Sequence, residues 1–351
     1  TARITSTEPV KVTMPDGGVR SNAFELDQKN RKIVFLNGVE ADFIPRAGQS
    51  RKQAGPAAPA ATTTIGSLSE SREPISITST RLEVSDTDRT AHFNGKVRAT
   101  QSGRTLTSPE LTITLASNAR LPGLGNGAAK PASKAPEQRA GVEKLVALKG
   151  VVLSDANGEV RAGRAEFAVT RNEARLYDAV QIKAAGGGGV TADAATIDTA
   201  TNRIVLTGNV VAEQSDTLLR GTQLVYEREG ARLSLTAPAR ASAPAGRIFA
   251  RLNPAAARPA RQRSRARPST SRLAFTTNPN APIEITATSL AVTDTNSTAR
   301  FAGGVRARQD SFLLTAPTLI ARYNGRIGLD GTPNSGAPRV SLRTIRAAGP
   351  V

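Results

Sequence analysis

The chain of 351 residues contains no Cys and no Trp, a single His and a single Met. Without Cys, disulfides, thiolate–zinc sites and thiol nucleophiles are excluded together. Both oxidising and reducing compartments accept Cys-free proteins, so this absence does not select a compartment. With His92 as the only histidine, no Ser/His/Asp, Cys/His or multi-histidine metal constellation can be assembled. Aromatic residues make up 3% of the chain, so any core is built from Val, Ile, Leu and Ala in place of large rings. No apolar run reaches the roughly eighteen residues of a membrane-spanning helix. The start on Thr1, with no charged and apolar leader, suits a mature or truncated product whose upstream signal or anchor has been removed.

Thirty Gly and 21 Pro, with Thr and Ser throughout, favour short strands and many turns over long helices. The formal charge of +18 calls for an anionic partner or surface, and nucleic acid, phospholipid and lipopolysaccharide all qualify.

One block recurs. It begins at Pro74 as PISITSTRLEVSDTDRTAHFNGKVRATQ, returns at Val190 as VTADAATIDTATNRIVLTGNVVAEQ, and again at Pro282 as PIEITATSLAVTDTNSTARFAGGVRARQ, with a shorter echo, RKIVFLNGVEA, from Arg31. Ile75, Ile77, Leu82 and Val84 alternate with polar residues, as do Ile283, Ile285, Leu290 and Val292, and period-two alternation places each set on one face of a strand. The polar stretches Asp86 to Arg89, Asp198 to Arg203 and Asp294 to Thr298 carry the Asp, Asn, Ser and Thr that reverse a chain, so each block reads as a hairpin. Gly95, Gly208 and Gly303 hold one place in the repeat, where Gly implies either a bulge or bend or a plain turn.

Segments 47–73, 117–141 and 239–281 lack apolar periodicity and read as linkers or disordered loops rich in Pro, Ala and Arg. The last holds Arg247, Arg251, Arg258, Arg261, Arg263, Arg265, Arg267 and Arg272 with no acid between them. Such a tract suits lipid phosphates, with Arg261, Arg263 and Arg265 as contacts, or an anionic membrane or nucleic acid, or is simply a solvated linker. Single-strand binding draws on stacking aromatics, and only Phe249 and Phe275 flank the tract, which disfavours nucleic acid. Asp86, Asp88, Asp198 and Asp294 sit in turns, where Asp is expected for backbone bonding, not as paired catalytic acids. The run Gly186 to Gly189 lacks the Lys-Ser/Thr ending of a phosphate loop. No catalytic group, metal site or cofactor is expected.

The opening Pro74, Ile75, Ile77, Ser79, the continuation Phe93, Gly95, Val97, Gln101, and then Leu106, Leu111 and Ile113 resemble the OstA-like family of lipopolysaccharide-transport proteins. Residues 8–44, through VKVTMPDGGVRSNAFELD and KIVFLNGVEADF, resemble the C-terminal end of an LptC-type domain. The resemblance implies an all-β fold, a twisted antiparallel V-shaped β-jellyroll of the OstA/LptA type. Its expected parts are LptC-like strands over 1–46, a linker over 47–73, a module over 74–238 with a loop at 117–141, a basic linker over 239–281 and a partial module over 282–351. It further implies a non-enzymatic periplasmic carrier, attached to the inner membrane through an upstream segment absent from this chain. Its implied partners are lipopolysaccharide through lipid A, an inner-membrane ABC transporter complex that extracts it, an outer-membrane translocon, and further copies docked head to tail through sheet edges. The implied groove is lined by Ile75, Ile77, Leu82, Val84, Phe93, Val97, Leu106, Leu111, Ile113, Val205 and Val210. Periodicity alone leaves open a filled sandwich core made by the same residues, as in a repetitive structural or adhesin-like protein.

Overall fold

A computed structural model describes residues 3–14, 17–43, 73–115, 142–214, 217–238, 246–252, 281–324 and 341–349. Among them every long element is a β-strand, and helix is limited to two single 3₁₀ turns, Val169–Arg171 and Asp294–Asn296. The chain divides into two units, residues 1–185 with 194–200, and residues 186–193 with 201–351.

The first unit contains β1 (Arg3–Ser6), β2 (Val10–Met14), β3 (Gly17–Asp27), β4 (Lys32–Phe43), β5 (Ile75–Ser79), β6 (Arg81–Ser85), β7 (Thr90–Gln101), β8 (Arg104–Leu115), β9 (Val142–Asp155), β10 (Gly158–Ala168) and β11 (Glu173–Ala184). All described pairings are antiparallel, and β3 to β11 pair in chain order except that β5 and β6 lie end to end between β4 and β7. The division between units falls within β12 (Gly189–Asp198). The second unit continues with β13 (Arg203–Gln214), β14 (Thr217–Glu227), β15 (Arg232–Thr236), β16 (Ile248–Leu252), β17 (Ile283–Ala287), β18 (Ser289–Thr293), β19 (Thr298–Gln309), β20 (Phe312–Asn324) and β21 (Ser341–Ala348). There, two split pairs, β15/β16 and β17/β18, lie between the long strands β14 and β19.

Two features bear on the segments read as linkers. Strands on either side of both segments pair with each other, Val39 facing Ser79 and Leu233 facing Val292. The segment expected to be a basic linker over 239–281 also contains β16, in which Ile248 and Ala250 are buried while Arg251 is exposed. Its period-two pattern is short and lies next to the arginines that dominate the segment. The rest of that segment apart from Gly246, Arg247 and Ala281, and thus Arg261, Arg263 and Arg265, lies outside the described residues, as do residues 47–72 and 117–141.

The three repeat glycines mark bulges. Pairing skips a step between Asn94 and Val97, between Thr207 and Val210, and between Ala302 and Val305. Gly95 and Gly303 have φ of +81° and +86°, and a Cβ there would lie 2.7 Å and 2.3 Å from the hydroxyl oxygens of Thr80 and Thr288. Those threonines separate β5 from β6 and β17 from β18, and each donates its hydroxyl to the glycine carbonyl, at 3.2 Å and 3.1 Å. In the middle copy Asn209, beside Gly208, donates to both carboxylate oxygens of Asp193 at 3.1 Å.

Left-handed pairs recur in mid-strand at Asn37–Gly38, Lys149–Gly150 and Asp178–Ala179. Long strands are therefore broken at corresponding heights, which bends each unit into two arms. A second device repeats with them. Gln101 and Gln309 end their strands by donating Nε2 to the carbonyls of Glu73 and Ala281, the residues just before Pro74 and Pro282, at 2.8 Å and 3.0 Å.

Candidate functional site: an apolar interior between two arms

The alternation of apolar residues becomes, through the register, rows of side chains running across strands on the inner face. On one arm of the first unit, Phe35, Leu82, Phe93, Leu111, Ala147, Ala165 and Leu176 face one another in succession, and all are buried. On the other arm the row is Ala41, Ile77, Ala99, Leu106, Leu153, Val160 and Ile182. The arms face each other. Phe43, beside Ile75 on one, sets its ring edge-on to Phe93 on the other, with centroids 6.2 Å apart and planes at 87°.

The outward face is polar and ion-paired. Glu83 accepts from Lys32 at 3.0 Å and Arg81 at 3.1 Å, and these two cations, Lys32 first, hold its carboxyl below the ordinary carboxylate value. Glu166 is lowered in the same way, chiefly by Lys144 at 2.8 Å, with Arg164 also bonded to it. His92 lies on this face with its ring nitrogen 2.8 Å from the Thr112 hydroxyl, and no group of three metal-binding side chains occurs among the described residues.

In the second unit a small apolar cleft opens between the two arms. Thr217, Leu219 and Leu252 line it from one arm, and Leu290, Val292, Ala299, Phe301, Ala321, Tyr323 and Leu342 from the other. Among the described residues that line it, the side-chain polar groups are the hydroxyls of Thr217 and Tyr323. Tyr323 donates to Asp294 in the turn between β18 and β19, and burial, followed by that bond and the Asp294 charge, pushes the phenol well above its ordinary value. The hydroxyl therefore stays neutral, and the ring presents an apolar wall.

The residues singled out from the sequence fall as follows. Ile75, Ile77, Leu82, Phe93, Val97, Leu106, Leu111 and Ile113 are all buried on the inner face of the first unit, and Val84 shares that face half-buried. Val210 is buried in the second unit, whereas Val205, between the buried Ile204 and Leu206, projects from the opposite face. The cleft residues Leu219, Leu252, Phe301 and Tyr323 were not among those expected. Leu290 and Val292 show the signal that finds such residues, since they stand where Leu82 and Val84 stand in the first copy.

The match to known families decides the identity of this arrangement. The model of the LptA/LptD N-terminal domain LPS transport proteins matches residues 76–188 and again 189–259, together more than half of the chain. The chain belongs to that family. In this LptA-type chain the second match starts at Gly189, the first residue of β12, within which the division between units falls. The fold, all-β and antiparallel throughout the described residues, is the family's β-jellyroll. Among solved structures, the chain is similar to LptH, the LptA-homologous periplasmic component of the lipopolysaccharide transport device of Pseudomonas aeruginosa. The identity is 16% and the TM-score 0.30, over 39% of this chain and 83% of that one. No curated protein matches the chain.

Proposed function

We propose that this family member is a non-enzymatic periplasmic carrier that shelters the acyl chains of lipid A between its arms. It takes lipopolysaccharide from an inner-membrane ABC transporter complex and passes it toward an outer-membrane translocon. The observation that carries this reading is the cleft of the second unit, an opening walled almost wholly by hydrocarbon in a chain of an LPS-transport family. Each methylene moved from water into such a wall gains about 0.8 kcal/mol, so one acyl chain supplies a strong hold while sugars and phosphates stay in water. Transfer along the protein then needs no bond chemistry, and its energy comes from an ATPase elsewhere.

The sheet edges support onward transfer. Among the described residues β1 and β2 pair only with β3, and β21 only with β20. Unpaired edges of this kind accept a strand from another copy or partner, which would extend an apolar interior from one molecule to the next.

The direct test is saturable binding of a fluorescent acyl probe by purified protein, with displacement by lipopolysaccharide. Ala299→Trp, which fills the cleft from its wall, is expected to weaken binding roughly tenfold or more, the equivalent of about two excluded methylenes. Saturable binding unchanged by Ala299→Trp would place the lipid elsewhere.

A further inference from the structure

From residue 184 to the end the chain has no Lys, and every side-chain cation of the second unit is Arg. On one arm the register gathers several of them on the outward face. One row across the sheet reads Arg220, Phe249, Thr286, Arg306 and Thr315, and the next reads Leu218, Arg251, Glu284, Arg308 and Leu313. Arg220, Arg251, Arg306 and Arg308 are exposed, and Leu313 is 61% exposed beside them.

Among the described residues Arg220 and Arg306 have no acidic partner. Two acids lie along these rows: Glu284, whose carboxylate is 3.8 Å from Arg251, and the exposed Glu213 of β13, which stands opposite Leu218 at the end of the second row. Arg308 donates to the Asp310 backbone carbonyl at 3.3 Å. Arg247, at the same arm, is pinned across the bend by bonds to the carbonyls of Thr286 and Gly304. The guanidinium-bearing positions are spaced by the sheet itself: Arg306 and Arg308 about 7 Å apart along β19, and Arg220 three strands, or about 14 Å, from Arg306.

We infer that this outward face docks onto an anionic phospholipid bilayer, with Arg220, Arg306 and Arg308 paired to lipid phosphates and Leu313 entering the interface. Guanidinium forks bind phosphate oxygens bidentately, and a unit whose side-chain cations are all Arg fits that chemistry better than it fits diffuse attraction, for which Lys would serve equally. The face lies on the opposite side of the sheet from the apolar interior, so the headgroup of a lipid held between the arms does not reach it. The inference is independent of acyl binding in the cleft.

The test is flotation of full-length protein with vesicles of phosphatidylcholine containing about 30% phosphatidylglycerol, against vesicles of phosphatidylcholine alone. The expected result is binding to the anionic vesicles only, weakened by salt. The combined variant Arg220→Gln, Arg306→Gln, Arg308→Gln is expected to lose roughly 100-fold in partition, at about fivefold per arginine, with its thermal unfolding unchanged. The Lys version at the same three positions should recover part of this, because it restores charge without the fork. Acyl-probe binding should be the same in all three proteins. Equal flotation of wild type and the Gln variant, or equal binding to neutral vesicles, overturns the inference, and the first outcome would assign membrane attraction to residues outside this face.

Discussion

Gly95 illustrates how much a single residue decides here. Its φ of +81° suits Gly, and a Cβ would meet the Thr80 hydroxyl at 2.7 Å, whereas Gly103, with φ of +76°, has nothing within 4 Å of that position. Ala at either site bears the left-handed cost of about 1–2 kcal/mol. Only at Gly95 must Thr80 also give way, so Gly95→Ala is expected to lower the urea midpoint clearly more than Gly103→Ala does. Equal losses would mean that the Thr80 contact does not hold the bend. The repeat made these positions legible because glycine leaves a visible mark at Gly95, Gly208 and Gly303. The bend at Asp178–Ala179 carries no glycine, so nothing in composition or spacing announced it. Val205 shows a second limit. Ile204, Val205 and Leu206 form an unbroken apolar run, in which alternation cannot tell one face from the other.

At the scale of elements, the rows across the sheet carry the stability. Phe93 is fully buried between Leu82 and Leu111, and Phe93→Ala is expected to cost about 3–5 kcal/mol in chemical denaturation. On the outward face the carboxyls of Glu83 and Glu166 titrate below their ordinary value of 4.5 because cations bond to them in the folded state. A depressed folded-state value means that the contribution is present above the unfolded value and is lost as pH falls through the folded one. Stability should therefore decline below about pH 4.5, and Glu83→Gln with Glu166→Gln should flatten that decline; a wild-type slope in the double variant would contradict it. The hairpins were readable from the sequence. Their pairing across segments 47–73 and 239–281 was not, because registers between distant strands are set by which apolar faces can be buried together, and no local signal records that.

For the whole molecule, the sequence concentrated lipid holding in the module over 74–238, through the alternating residues from Ile75 to Ile113. The structure buries most of those side chains on the inner face, with the Phe43 ring edge-on to Phe93, and lines a cleft in the second unit. An acyl chain that enters the first unit past that ring pair needs the arms to part there. Phe43→Ala should therefore raise probe binding per molecule above that of wild type, and unchanged stoichiometry would show the first unit to be a filled core.

The most direct measurement uses a photo-reactive leucine analogue at position 290, which lines the cleft, and at position 291, its neighbour on the opposite face. With radiolabelled lipopolysaccharide and light, position 290 is expected to capture the lipid and position 291 to capture none. Capture at neither position, or equally at both, would contradict an acyl chain held between the arms.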